Sequence, residues 1–202
     1  MPTRKQLTTF TDDDPPAGAD PWVPGQHPEP PPEVVAYDPA WPAVYADLEA
    51  RIRAVLGARV LEIHHVGSTS VPGLAAKPVI DIDLIVADPD AEDAYIPPLV
   101  AAGFVHRIRE PWWWGHRMLR LDDPLVHLHV FDFTSPEAVR HRLFRDWLRQ
   151  HPDDRDRYAA AKNEASAASA ALGEHAMEYN ARKQDVVREI YARLFAATGL
   201  TD

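Results

Sequence analysis

The spacing of apolar and polar residues changes twice along the chain. Between residues 41 and 55 the apolar positions recur every three or four residues, which predicts an amphipathic helix. The next eighty residues contain short apolar runs, and these predict five strands near 59–66, 78–86, 104–109, 117–121 and 125–133. A further helix is predicted at 91–103, between the second and third strands.

After residue 134 the spacing is helical again, and turn residues divide it into three segments near 135–150, 152–172 and 175–197. A helix, a group of strands and then a run of helices are typical of an α+β or α/β domain. The predicted fold is therefore α+β, with a mixed β-sheet flanked by helices and a helical C-terminal half.

Residues 1–33 have a different composition from the rest of the chain. Nine of the 20 prolines lie in this stretch, and few large apolar residues interrupt them. Such a segment can bury little surface, so we expect a flexible Pro-rich extension at 1–33 and one domain at 34–202. Trp22 and Val23 are the residues of this extension best suited to dock on the domain.

Charge and cysteine content limit the classes of function. The net charge of −10 argues against a protein that grips nucleic acid through a general basic surface, although a local pocket for one nucleotide remains possible. The chain has no cysteine, which excludes disulfides and thiolate metal sites. The N-terminal stretch lacks the apolar run of a signal peptide, and no segment approaches the length of a membrane span. We therefore expect a cytoplasmic protein without a membrane partner.

Two aspartates interrupt the most apolar strand of the sequence. In the stretch PVIDIDLIV, Asp81 and Asp83 are two residues apart and must share one face of the strand. Two carboxylates this close repel unless a cation lies between them, and hard oxygen ligands suit Mg²⁺ or Mn²⁺. A half-exposed strand with two solvated aspartates is the simpler alternative.

A small-residue turn precedes this strand. Its glycine, Gly67, allows the backbone to approach a ligand closely, and backbone N–H groups of such a turn can hold phosphate oxygens. Hydroxyl groups at Ser68, Thr69 and Ser70 add further donors. A phosphate-binding turn followed by a carboxylate pair is typical of enzymes of phosphoryl or nucleotidyl transfer.

The stretch VGSTSVPGLAAKPVIDIDLIV, residues 66–86, resembles the signature of the GrpB family, within the polymerase-β-like nucleotidyltransferase superfamily. The residues that match the superfamily pattern are Val66, Gly67, Ser68, Asp81 and Asp83. The resemblance extends over YDPAW (37–41), VHLHV (126–130) and FRDWLRQHPDDRDRY (144–158), and so covers the chain from about residue 34. It implies a nucleotidyltransferase-like fold and a link to nucleotides or coenzymes, since some relatives are joined to dephospho-CoA kinase.

Members of this superfamily usually carry a third acidic residue on a neighbouring strand, and this sequence departs from that pattern. In the strand VHLHVFDF, His127 and His129 share one face, whereas Asp132 falls on the other unless a bulge shifts the register and makes it the third carboxylate. A histidine is therefore expected in the third position, as a metal ligand or a general base, with His129 ranked first. Imidazole ligands would also admit Zn²⁺ or Ni²⁺ at a site formed by Asp81, Asp83, His127 and His129. Loss of the acid could instead mark an inactive protein that still binds a ligand.

Basic and aromatic residues should surround a bound triphosphate. Tyrosine precedes lysine by four residues in YAAAK and in YNARK, so each pair shares one helical face. Ordinary solvated helix faces would give the same pattern. The candidate ligand-binding residues of this group are Lys77, Arg117, Arg145, Tyr158, Lys162, Tyr179 and Lys183. The run Trp112, Trp113 and Trp114 predicts either a stacking surface for a ring or a lid or dimer contact.

These features favour an enzyme that moves a nucleoside monophosphate from an NTP to a small-molecule acceptor, with a divalent metal. Two alternatives stay open: a non-catalytic nucleotide- or coenzyme-binding module, and a metal-dependent ligase or hydrolase on the same fold. The expected partners are a nucleotide and the acceptor.

Overall fold

The computed structural model describes residues 1–10, 16–28, 33–174 and 176–201. Its helices are α1 (Arg4–Thr8), α2 (Trp41–Leu56), α3 (Ile96–Ala101), α4 (Pro136–Gln150), α5 (Pro152–Leu172) and α6 (Ala176–Ala197). Its strands are β1 (Glu62–Val66), β2 (Ile80–Ile85), β3 (Val105–Glu110), β4 (His116–Leu121) and β5 (Val126–Phe131). The predicted α+β fold with a mixed sheet and a helical C-terminal half is confirmed.

The five strands form one sheet in the order β1-β2-β5-β4-β3, and only the central pair β2 and β5 is parallel. In this pair Asp81 lies opposite His127, and Asp83 lies opposite His129. Residues opposite each other in a sheet point to the same side, so the register sets the aspartates beside the histidines. The two strands that carry the predicted metal ligands, β2 and β5, are therefore neighbours in the sheet.

The two faces of the sheet differ in chemistry because side chains alternate along each strand. One face is apolar and packs its central residues, such as Ile82 and Leu128, against α2 and α3 in the main core. The other face carries the aspartates and histidines and lies under α4, whose His141 bonds to Asp83. A second apolar cluster joins the Gly67 turn to the C-terminal helices through Val71, Leu74, Leu148, Tyr158 and Ile190.

Several boundaries differ from the predicted ones. The first strand starts at Glu62 because Gly57–Arg59 forms a 3-10 turn, with φ of +58° at Gly57. The helix predicted at 91–103 is a 3-10 turn at Glu92–Ala94 followed by the short α3, since two prolines occupy its first turn. The predicted start of the last helix at His175 lies outside the described residues. Within the described residues, no helix combines the length and apolarity that a bilayer span requires.

The Pro-rich extension makes more contacts than its composition suggests. Leu7 in α1 is buried, and Phe10 packs against Tyr191 with ring centroids 5.1 Å apart. Further along, Trp22 forms a β-bridge with Ile108 at the edge of the sheet. The expectation that this segment buries little is therefore wrong for these stretches, because the domain offers them specific partners. The flexibility of the extension stays a prediction. The parts of the extension at 11–15 and 29–32 lie outside the described residues, and the division of the chain at residue 33 stays a prediction.

Candidate active site

One acid and two imidazoles converge on the polar face of the sheet. His127 Nδ1 lies 3.6 Å from Asp81 Oδ1, and His129 Nε2 lies 4.0 Å from the same oxygen. Potential ligand atoms of these three residues all lie within 4.8 Å of one another. The prediction that alternation turns both histidines toward the aspartate strand is confirmed. Each side chain stays partly exposed, which leaves room for a ligand.

The histidines tune the charge of this cluster. Burial by itself would raise the pKa of Asp81, but its interactions with His127, and then with His129 and His141, lower that pKa below its ordinary value. Burial and the neighbouring His116 lower the pKa of His129 well below its ordinary value. Asp81 is therefore ionised and His129 neutral near pH 7, which are the forms that bind a metal.

Asp83 has a different environment from Asp81. It is fully buried, and both of its carboxylate oxygens lie within 3.1 Å of His141 Nδ1 in α4. Burial would lower the pKa of His141, but the charge and hydrogen bond of Asp83 raise it to about 9. The pair therefore forms an ion pair near neutral pH. Asp83 was predicted as a metal ligand beside Asp81, yet its carboxylate is already paired and it lies outside the three-residue cluster.

A second line of residues supports His129 from behind. His116 Nε2 lies 3.0 Å from His129 Nδ1, and His116 Nδ1 lies 2.7 Å from a carboxylate oxygen of Glu110. Burial lowers the pKa of His116 to about 3 and raises the pKa of Glu110 to about 7. His116 is thus a neutral imidazole that fixes the ring of His129, as residues behind metal ligands commonly do.

The position of the Asp81 side chain requires a glycine at residue 67 in the turn. Gly67 has φ of +64°, and a Cβ built on it would lie 2.9 Å from Asp81 Cβ and closer still to its carboxylate. No side chain fits there without displacing the acid. The close approach predicted for this glycine is therefore made to Asp81 itself.

The three hydroxyls of the turn have different roles. Thr69 is buried, and its hydroxyl donates to Val79 O at 3.0 Å, while Ser70 Oγ donates to Gly67 O at 2.5 Å. These donors hold the turn together, so the structure does not direct them at a ligand. Ser68 is half-buried and lines the cavity described below. Of the predicted hydroxyl donors, Ser68 is the one placed to contact a bound molecule.

A cavity of about 330 Å³ opens between the turn and the C-terminal helices. Gly67 and Ser68 line one side, and His141 and Arg145 of α4 line another. Tyr158 and Lys183 come from α5 and α6. Five of the predicted site residues therefore share one cavity: Gly67, Ser68, Arg145, Tyr158 and Lys183. We refer to Asp81, His127 and His129 as the acid–histidine cluster. Because Gly67 closely approaches Asp81 and also lines the cavity, the cavity lies next to this cluster.

Three of the four lysines in the chain meet around two tyrosine rings beside this cavity. Lys77 Nζ lies 3.0 Å from the Tyr179 ring centre, and Lys183 Nζ lies 5.0 Å from it. Lys162 Nζ donates to Ala75 O at 2.7 Å and lies 5.3 Å from the Tyr158 ring centre. The predicted Tyr–Lys pairing along α5 and α6 is confirmed in its geometry. We refer to these five residues as the lysine cluster.

The lysine cluster is short of negative charge. Burial, and then the charge of Lys183, lower the pKa of Lys162 to about 7 and that of Lys77 to about 8. Among the described residues, none of the three ammonium groups forms an ion pair with a carboxylate within 4.0 Å. Asp81 is the anionic group that raises both pKa values in part. Three ammonium groups held close together without a carboxylate partner favour the binding of an anion.

Arg117, by contrast, lies away from the site. It is opposite Val130 in the register of β4 and β5, and therefore points to the apolar face of the sheet. Its guanidinium is buried and bonds to Glu92 and to Asp90, each at 2.8 Å. The prediction that Arg117 helps to bind phosphates is contradicted by this placement, since the register could not be read from the sequence.

The three consecutive tryptophans, Trp112, Trp113 and Trp114, lie next to His116, on the side of His129 away from Asp81. All three indoles are half-buried, and Trp113 meets His116 and Phe131 with ring centroids 5.1 and 6.1 Å apart. Trp113 thus shields the His116–His129 contact. Neither His116 nor His141 was predicted as a site residue, because His116 approaches His129 from the neighbouring strand and His141 approaches Asp83 from a helix packed on the sheet, and no local pattern shows such contacts.

Comparison with known proteins places this arrangement in a wider group. A family model described as GrpB protein matches residues 31–193. A UPF0157 protein from Halalkalibacterium halodurans is 44% identical over 160 residues, a match that covers 79% of this chain and 80% of that protein. The crystal structure of the conserved protein GrpB from Enterococcus faecalis matches with a TM-score of 0.67 and 28% sequence identity, covering 80% of this chain and 99% of that one.

A more distant relative has a name that refers to a reaction. A dephospho-CoA kinase from Mycolicibacterium paratuberculosis is 34% identical over 163 residues. The match covers 67% of this chain but only 40% of that protein.

Proposed function

The chain belongs to the GrpB family, and from this premise we propose that it is a metal-dependent nucleotidyltransferase that moves a nucleoside monophosphate from an NTP to a small acceptor. The proposal also assigns the fold to the polymerase-β-like nucleotidyltransferase superfamily. One observation carries it: Gly67, whose backbone closely approaches Asp81, lines the same cavity as Tyr158 and Lys183 of the lysine cluster.

The donor set of the acid–histidine cluster fits a divalent metal. One carboxylate and two imidazoles, from Asp81, His127 and His129, lie close enough to share an ion. Two nitrogen donors favour Mn²⁺, Zn²⁺ or Ni²⁺ over Mg²⁺, which prefers oxygen. A metal held there would supply positive charge to the oxygens of a phosphate group. His129 is suited to be a ligand rather than a base, since its low pKa makes it a poor proton acceptor.

The protein's own residues would bind and orient the triphosphate. Lys183 and Arg145 line the cavity, and Lys77 adds charge next to Tyr179. In the proposed transfer the acceptor hydroxyl loses its proton to solvent, its oxygen bonds to the α-phosphorus, and the bond from that phosphorus to pyrophosphate breaks. Negative charge then grows on the pyrophosphate, and the lysine cluster would stabilise it. The relative named dephospho-CoA kinase supports a role close to nucleotides or coenzymes.

One observation favours a second candidate, a nucleotide- or coenzyme-binding module without turnover. Asp83 is ion-paired with His141, so the cluster offers a metal one carboxylate, that of Asp81, where the superfamily pattern has more. A site with less negative charge holds its metal less firmly during a transfer. Binding of the triphosphate by the lysine cluster would not be affected.

The test is release of pyrophosphate from each of the four NTPs with Mn²⁺, Zn²⁺ or Mg²⁺ and a pooled set of small hydroxyl and amine compounds. We expect release by the natural protein and loss of release in Asp81→Asn. Asp156→Asn, a carboxylate change on the exposed side of α5, serves as the control that should keep activity. NTP binding without release would support the binding module, and equal release by Asp81→Asn would overturn the assignment of the site.

A further inference from the structure

The N-terminal residues form a strap across the C-terminal helices. Residues 3–10, called the strap here, contain α1, which starts with reciprocal hydrogen bonds between Thr3 and Gln6. Leu7 points inward and is 9% exposed. Because a five-residue helix is unstable alone, its contacts with the domain must hold it in place.

Arg140 of α4 is the main anchor of the strap. It is 2% exposed, and its guanidinium donates to the backbone carbonyls of Leu7 at 2.9 Å, Thr9 at 2.6 Å and Gln6 at 2.5 Å. Bonds from a charged donor are among the stronger hydrogen bonds of proteins. They use main-chain atoms of the strap, which explains why its composition did not predict that it docks.

The strap ends in a side chain that forms part of the cavity wall. The Phe10 ring centre lies 4.3 Å from the guanidinium carbon of Arg140 and 3.6 Å from that of Arg188. Its ring also meets Tyr191 and Phe195. Phe10 lines the same cavity as Ser68 and Lys183. The region matched by the GrpB family model begins at residue 31, so this part of the wall comes from outside that region.

We propose that Phe10 is a specificity-determining residue that limits the size of the molecule admitted to the cavity, and that Arg140 holds it there through the strap. An aromatic ring in contact with two guanidinium groups is a rigid wall, because cation–π contacts and partial burial restrain it together. The molecule in question is the nucleotide or acceptor of the proposed function, on which this consequence rests. The position of the wall itself can be tested without that reaction.

The absence of cysteine from the chain allows a direct test of access. Ser68→Cys places a single thiol in the wall of the cavity that Phe10 also lines, and its alkylation by N-methylmaleimide is compared with alkylation by the bulky N-(1-pyrenyl)maleimide. A second protein carries the single thiol at Ala76, which is fully buried in the main core, and reports opening of the whole fold. Each thiol is tested with Phe10, Phe10→Ala and Phe10→Trp.

With Phe10 present we expect the small reagent to react faster than the bulky one at residue 68. Phe10→Ala should raise the bulky-to-small rate ratio by about tenfold, because the bulky reagent then no longer needs a local opening that moves the ring aside. The thiol at residue 76 should stay protected. Phe10→Trp should lower the ratio. An unchanged ratio in both variants, or labelling at residue 76 together with residue 68, would overturn the proposal. A changed ratio at residue 68, together with no pyrophosphate release by the natural protein, would refute the proposed function and leave the wall in place.

Discussion

At the scale of single residues, Gly67 links the turn to the acid. Gly67→Ala combines an unfavourable positive φ with a Cβ that enters the space of the Asp81 side chain. We expect a loss of about 2–5 kcal/mol in the free energy of unfolding, the sum of backbone strain and overpacking, together with weaker metal binding. Denaturant unfolding and metal titration measure the two effects.

Gly73→Ala is the matched control for that substitution. Gly73 has φ of +78°, but the nearest atom to an added Cβ is 3.7 Å away, so this variant carries the strain without the clash. Its free energy of unfolding should fall by about 1–3 kcal/mol, and its affinity for the metal should stay unchanged. Equal losses in the two variants would show that Asp81 does not depend on the absence of a side chain at residue 67.

The Asp83–His141 pair predicts a dependence of stability on pH. A histidine whose pKa is raised on folding stabilises the protein fully below its unfolded pKa of about 6.5 and loses this contribution as the pH rises through about 9. The difference in unfolding free energy between the natural protein and His141→Gln should therefore shrink from pH 6.5 to pH 10. Unfolding in urea at a series of pH values measures it.

His106→Gln provides the contrast, because burial lowers the pKa of His106 and its titration affects stability only toward acidic pH. A difference for His141→Gln that stays constant over the alkaline range would mean that the ion pair is absent.

The sequence predicted the direction of a side chain correctly where alternation along one strand determines it, and wrongly where the alignment of two strands determines it. Strand alternation was enough to place His127 and His129 on the side of Asp81. It could not show that Arg117 points to the opposite face, because that depends on how β4 aligns with β5. His141 was missed because the packing of α4 on the sheet, which brings it to Asp83, leaves no periodic signal.

At the scale of elements, α5 and α6 bring the lysine cluster together. Replacing Lys183 with Met removes the cation that contacts both tyrosine rings and lines the cavity. We expect the affinity for inorganic tripolyphosphate, measured by calorimetry, to fall roughly tenfold to a hundredfold, as for loss of a charged hydrogen bond. Arg157→Gln removes an exposed charge from α5 and should leave the affinity unchanged; a similar fall in that variant would point to general electrostatics.

Binding of tripolyphosphate should also take up protons. Lys162 and Lys77 have pKa values of about 7 and 8, lowered mainly by burial, so both are partly neutral at pH 8. A bound anion favours their charged forms and raises those pKa values. Calorimetry at pH 8 in two buffers of different ionisation enthalpy should give a positive proton uptake. Zero uptake would place the anion away from these lysines.

From residue 34 onward the type and order of the helices and strands followed from the sequence, while their ends and contacts did not, and α1 was not predicted. The helical C-terminal half was visible in its apolar spacing and caps, including Gly173 at the end of α5. The helix predicted at 91–103 was shortened because prolines at 97 and 98 restrict it to start at Ile96. Contacts between the strap and α4 depend on backbone carbonyls, which no side-chain pattern encodes.

At the scale of the whole molecule, the strap contributes to stability. Deleting residues 1–10 exposes the surface that Leu7 and Phe10 cover and leaves buried Arg140 without its carbonyl partners. We expect a loss of about 2–3 kcal/mol and a melting temperature lower by about 4–10 °C. An unchanged melting temperature in calorimetry would restore the view of a dispensable extension. Lys5→Ala, in the same helix, is a control that keeps Leu7 and Phe10.

The central claim is that Asp81, His127 and His129 bind a metal that acts together with the lysine cluster on one triphosphate. The most direct test is titration of Mn²⁺, followed by electron paramagnetic resonance, with and without tripolyphosphate, in the natural protein and in Asp81→Asn. We predict that tripolyphosphate tightens Mn²⁺ binding in the natural protein and that Asp81→Asn abolishes both the binding and the effect. Equal Mn²⁺ affinity in the two proteins, or no influence of tripolyphosphate, would contradict the account.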